Sequence, residues 1–168
     1  LAYQGKPIQA LVDAICGKMR NVKGSTEVDT TATQAFALAQ GVGQDYVHVF
    51  LACCRSLGLP ARYVSGYLFT EDGSLMQTHA WADVWIDQAW KSIDVVNACL
   101  TNECYVRLAT GLDYRGASPV TGSRVGGGVE GLASSVTVNT FAGNVEKHQK
   151  LAQEELLSLA LQAQQAQQ

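Results

Sequence analysis

The sequence predicts an α+β fold in which N-terminal helices pack on an antiparallel β-sheet, and three observations carry that prediction. Val47, Phe50, Leu51, Cys54 and Leu57 follow the i, i+3, i+4 spacing of one buried helical face. Residues 78–86 alternate strictly, with Ala80, Ala82, Val84 and Ile86 on one side and His79, Trp81, Asp83 and Trp85 on the other. Asp87 and Gln88 then join that strand to a second one, Trp90–Val96, through a turn too short for anything but an antiparallel hairpin.

The elements follow in order. Ile8, Leu11, Val12, Ile15 and Met19 mark a first packing helix. After a loop at 23–26, Thr30 and Thr31 cap a run of good helix formers through Ala39. A glycine-marked turn at 41–43 opens the main helix, Gly58 stops it, and Pro60 forbids its continuation. Tyr63, Val64, Tyr67, Leu68 and Phe69 make 61–70 β-rich, and a turn-forming loop at 71–74 precedes the alternating strand. Gly126-Gly127-Gly128 lacks the lysine and Ser/Thr of a phosphate loop and reads as a turn between strands. Val145, Ala152, Leu156, Leu159 and Ala163 keep a helical stripe, so 1–142 is expected to form one domain and 143–168 a C-terminal helical extension.

With 168 residues, 47% of them hydrophobic, the chain suffices for one domain with a real core. A net charge of −3 with no Lys/Arg cluster gives no nucleic-acid footprint and no attraction to an anionic membrane, and no apolar run approaches a membrane span. The five cysteines, an odd count in mostly apolar segments, fit buried reduced thiols rather than a disulfide framework or a zinc site, and with no secretory leader visible they make the cytoplasm the expected location.

The hairpin allows a geometric step. If Asp87 and Gln88 are the central turn residues, opposite positions sum to 175, so Ala82 faces Ile93 and Ala80 faces Val95, apolar against apolar. In that register His79 is a diagonal neighbour of Asp94 on one sheet face, ~7–8 Å away between backbones, within reach of an imidazole and a carboxylate. A slip by one residue would separate them and mismatch the apolar pairs.

The stretch Gly41-Val42-Gly43-Gln44-Asp45 followed by Leu57-Gly58-Leu59-Pro60-Ala61-Arg62-Tyr63-Val64-Ser65-Gly66-Tyr67 resembles the transglutaminase-like cysteine peptidase superfamily in its bacterial branch. The segments His79–Ile86 and Tyr105-Val106-Arg107-Leu108-Ala109 with Gly111-Leu112-Asp113-Tyr114 carry the same resemblance, which spans roughly residues 8–140. It implies a papain-like/transglutaminase-like core and an enzyme that cleaves or transfers an amide through a thioester. It also implies that position 43 is the nucleophile position, where the family has cysteine. This chain has Gly43.

Acyl transfer through a thiol needs a thiolate, a base that carries the proton, and a group that orients the base. His79 is the candidate base and Asp94 the candidate orienter. Position 43 opens a helix, where free amides and the dipole lower a cysteine pKa and could hold an oxyanion. Asp45 reads as a helix-start anion and His48 as packing. Cys54 cannot substitute for the missing thiol, because eleven residues of helix place it ~16 Å along the axis. The expectation is therefore an enzyme architecture disabled at Gly43, either by an introduced substitution or as a natural pseudoenzyme that binds a peptide or protein in the cleft. No cofactor or metal is implied, and no acidic loop resembles a calcium site. The expected partner is a peptide or protein amide, with self-association through the C-terminal helix as a further expectation.

Overall fold

Each helical period that falls within the described residues becomes a helix. In the computed structural model, which describes residues 6–69 and 78–118, α1 covers Lys6–Lys18, α2 Ala32–Leu38 and α3 Gly43–Ser56. Thr31 caps α2 by accepting from the Gln34 amide, while the Gln34 side chain accepts from the Thr31 amide at 2.9 Å. This reciprocal box satisfies two amides that the first turn would otherwise strand. At the far end of α3, Gly58 adopts φ +70°, a left-handed conformation that glycine takes without penalty. Of the five residues expected on the buried face of α3, Val47, Phe50, Leu51 and Cys54 are buried, whereas Leu57 is exposed because it is the cap residue beyond the last turn.

Two short strands, β1 (Arg20–Asn21) and β2 (Gln40–Gly41), pair in parallel and tie the end of α1 to the turn before α3. The main sheet contains β3 (Ala61–Leu68), β4 (Thr78–Ile86), β5 (Ala89–Asp94), β6 (Cys99–Leu100) and β7 (Tyr105–Gly111), in the spatial order β6-β5-β4-β3-β7, with every neighbour antiparallel. Its β4–β5 ladder runs from Ala82 opposite Ile93 to Ile86 opposite Ala89, the register in which partners sum to 175. Asp87 and Gln88 both have positive φ, 49° and 61°, the two-residue turn whose twist matches that of the strands.

The two faces of β4 have different neighbours. Ala80, Ala82, Val84 and Ile86 join the core formed by Ile8, Val12 and Ile15 of α1 and Val47, Phe50, Leu51 and Cys54 of α3. Each large aliphatic or aromatic side chain buried there contributes ~1.5–3 kcal/mol relative to exposure. Trp81 is equally buried but lies outside that cluster, opposite Val64 of β3.

The sheet is curled. β6 and β7 are its two edges, and four residues, 101–104, connect them. Five residue steps span at most ~18 Å, whereas four strand spacings in a flat sheet span ~19 Å. Gly66 sits within the curl, at a register shift between β3 and β7, with the Val106 carbonyl and the Trp81 ring where its side chain would be.

The described residues other than Phe69 fall in one compact unit. The Gly126–Gly128 turn with its flanking strands, the 71–74 loop and the helix expected over 143–168 lie outside the described residues. No described helix is long and apolar enough to cross a membrane.

Candidate active site

Position 43 is the first helical residue of α3, so its amide and that of Gln44 precede any intrahelical acceptor. The turn is fixed by Asp45, whose buried carboxylate Oδ2 accepts from the Val42 amide at 2.7 Å and from the Thr26 hydroxyl at 2.7 Å. Asp45 is thus the helix-start anion expected of it, and Gly41 is needed beside it, because a Cβ there would lie 2.7 Å from the same oxygen. Gly43 is different. Its φ is not positive, and a Cβ would meet only Val96 Cγ2, at 3.8 Å, so nothing in the backbone requires glycine at this position.

His79 enters from β4 and Asp94 from the last position of β5. The diagonal relation expected of the hairpin brings His79 Nε2 to 2.5 Å from Asp94 Oδ2. Asp94 is fully buried, and His79 keeps some access to solvent. Burial alone would push the Asp94 carboxyl up, but the hydrogen bond and charge of His79, the Asn97 amide and the Tyr105 hydroxyl together hold it below the usual carboxylate range. Since Nε2 is committed to Asp94, Nδ1 is the ring nitrogen left to exchange a proton. Val96, two residues beyond Asp94, is the neighbour of position 43, so the segment that follows β5 links the Asp94 carboxylate to the start of α3.

Two partners of the pair had no signal in the periodicity. Asn97 donates to Asp94 twice, from its amide to Oδ1 at 3.1 Å and from Nδ2 to Oδ2 at 2.7 Å. Tyr105, from β7, donates its hydroxyl to Oδ2 at 2.8 Å. The Tyr105 ring also lies 5.9 Å from that of His79 and 5.5 Å from that of Trp81, and the Trp81 ring stacks near His79 at 6.4 Å. Among the described residues the buried indole N–H of Trp81 has no acceptor. Further along the same face of β4, Asp83 is buried between Arg62 and Arg107 and accepts from Ser92 at 2.6 Å.

The other candidates fall into supporting places. His48 accepts from the Tyr114 amide at Nε2 and packs edge-on against Tyr63, as expected for packing, and burial pushes its pKa down. Burial pushes the Cys54 thiol up to about 12, which leaves it inert at neutral pH. Cys16 of α1 places its thiol on the Val95 carbonyl at 3.0 Å, next to Asp94 in the chain. The expectation of buried thiols holds in full only for Cys54: Cys16, Cys53 and Cys104 are half-buried, and Cys99 is exposed on the edge strand β6. Among the described residues no group of three or more His, Cys, Asp or Glu could hold a metal ion. A cleft lined by Thr30, His48, Arg55, Asp113 and Tyr114 shares no residue with the His79–Asp94 pair.

A helix N-terminus followed by an antiparallel sheet that carries a hydrogen-bonded His–Asp pair defines the papain-like class of folds. Within that class, the family model of the transglutaminase-like superfamily matches residues 3–95, and the chain belongs to that superfamily. A solved structure from Cytophaga hutchinsonii, described as a "putative cysteine protease", superposes with a TM-score of 0.60 at 31% identity, covering 66% of this chain and 37% of that one. An uncharacterized protein of Mycobacterium leprae is 30% identical over 151 residues, 84% of this chain and 54% of that protein. One from Mycobacterium tuberculosis is 35% identical over 111 residues, 59% of this chain and 35% of its own length. The chain thus spans about half or less of the length of these relatives.

Proposed function

We propose that this chain carries the site of a cysteine amide hydrolase or acyl transferase whose nucleophile position is occupied by Gly43, with His79 as base and Asp94 as its orienter. The observation that carries the reading is the 2.5 Å contact between His79 Nε2 and the fully buried Asp94, an arrangement that commits one ring nitrogen and frees the other. In such a site, Nδ1 of His79 takes the proton of a thiol at position 43, and the thiolate attacks the amide carbon. The amide of residue 43 donates to the developing oxyanion, and the leaving amine receives the proton back from His79. Water or a second amine then resolves the thioester. Without the sulfur the sequence stops before its first step, so the chain as it stands is inactive.

The room around the absent Cβ of Gly43 supports a disabled enzyme rather than a site rebuilt for another use. The test is Gly43→Cys, assayed for amide hydrolysis and transamidation on peptide substrates. Turnover that vanishes again on His79→Ala supports the reading. An inert Gly43→Cys protein, alongside tight peptide binding by the present chain, would favour a non-catalytic binding module instead.

A further inference from the structure

Oδ2 of Asp94 has three hydrogen-bond partners: His79 Nε2 at 2.5 Å, Asn97 Nδ2 at 2.7 Å and the Tyr105 hydroxyl at 2.8 Å. Asn97 lies three residues from Asp94 in an exposed turn, so its bonds are local. Tyr105 comes from the opposite side of the sheet, across β3 and β4, and its ring fills the space beside His79 and Trp81. We propose that Tyr105 is a positioning residue of the His79–Asp94 pair, fixing Oδ2 so that Nε2 of neutral His79 bears the proton and Nδ1 remains the basic nitrogen. The proposal rests on the catalytic reading of that pair.

Three features carry it. A carboxylate only accepts, so the tyrosine must donate, and burial together with Cys99 and Asp94 raises its pKa, which keeps the proton on oxygen. A carboxylate oxygen held from two other directions has little freedom to swing, and the imidazole bonded to it inherits that fixed direction. The curl of the sheet is what delivers the hydroxyl, and Gly66 permits that curl by leaving its side-chain volume to Trp81 and the Val106 carbonyl. Tyr105 thereby couples closure of the sheet to the orientation of the base.

The test uses the present chain, where no thiol at position 43 complicates the titration. Imidazole nitrogen shifts from NMR report the His79 tautomer, and the carboxyl carbon reports the titration of Asp94. The titratable groups facing Asp94 are His79 from β4, Tyr105 from β7, Cys16 from α1 and, through Tyr105, Cys99 from β6. In the parent, neutral His79 is expected as the Nε2–H form. Tyr105→Phe should admit the Nδ1–H form and move the Asp94 titration upward. A site-specific 3-fluorotyrosine at 105, a stronger donor, should keep the tautomer and move the titration downward, and it decides the matter if the phenylalanine variant fails to fold. In the Gly43→Cys background, Tyr105→Phe should lower kcat about tenfold with KM within about twofold, the signature of lost orientation rather than lost binding. Unchanged tautomer and titration in the variants overturn the positioning role. If Gly43→Cys proves inert while the tautomer still responds, the catalytic reading fails and the positioning of His79 by Tyr105 stands.

Discussion

Gly66→Ala should be among the most damaging single-methyl additions in the described domain. An ideal Cβ there falls 2.0 Å from the Val106 carbonyl oxygen and 2.6 Å from Trp81 Cη2. The first obstacle is backbone, so it cannot rotate away, and restoring even a 3.0 Å contact requires β7 to retreat by 1.0 Å (3.0 − 2.0) at this point. That shift falls at the β3–β7 irregularity between Ser65 and Gly66, where the ladder already changes register. Loss of about two ladder hydrogen bonds at ~1 kcal/mol each, plus ~1–3 kcal/mol for overpacking, gives ~3–5 kcal/mol. Against the ~5–15 kcal/mol of a typical domain this is a large fraction. Urea unfolding followed by tryptophan fluorescence measures it, with a midpoint shift of about 2 M at an m-value of ~2 kcal/mol/M. A loss below ~0.5 kcal/mol would refute the packing argument, and with it the claim that the curl depends on glycine at this position.

The other glycines and the buried carboxylates give further expectations. Gly41→Ala should cost ~1–2 kcal/mol by driving Asp45 off the Val42 amide and Thr26, while Gly43→Ala should be neutral to ~1 kcal/mol stabilising; paired urea melts distinguish them. Asp83 and Asp94 both have pKa values held below the ordinary 3.8, Asp83 because its bonds to Arg107, Ser92 and Arg62 outweigh its burial. A depressed folded value means the unfolded chain binds protons first on acidification. Their contribution is therefore complete above about pH 4 and lost as pH falls through the depressed values, and urea melts between pH 6 and pH 3 should show this loss shrinking in Asp83→Asn and Asp94→Asn.

Much of this molecule was legible because its decisive signals are local. The 3.6-residue spacing gave the helices, and the strict alternation of 78–86 with a two-residue turn fixed a register that the ladder from Ala82–Ile93 to Ile86–Ala89 reproduces. The His79–Asp94 contact lies on the diagonal which that register predicts, just beyond the end of the observed ladder at Ala82–Ile93. What stayed hidden depends on the third dimension. Tyr105 lies eleven residues beyond Asp94, yet it arrives only because two sheet edges are joined by four residues, and no pattern of spacing encodes that curl. Asp83 could be assigned to the face of His79, but Arg62 and Arg107 reach it from β3 and β7, whose adjacency is a matter of topology. Gly66 did leave a trace, as a lone glycine inside a β-rich segment is a sign of close approach. The paired strands β1 and β2 are two residues each, too short for periodicity to register.

The most direct test of an assembled site lacking one sulfur is the reaction of Gly43→Cys with a thiol-directed electrophile near pH 6, mapped by mass spectrometry. Exposed Cys99 serves as the internal reference. If His79 serves as the base of a thiol at this helix N-terminus, that thiol should be largely thiolate there, so position 43 should label at least about tenfold faster than Cys99 and lose that advantage in His79→Ala. Labelling at 43 no faster than at Cys99, or indifferent to His79, would contradict the account.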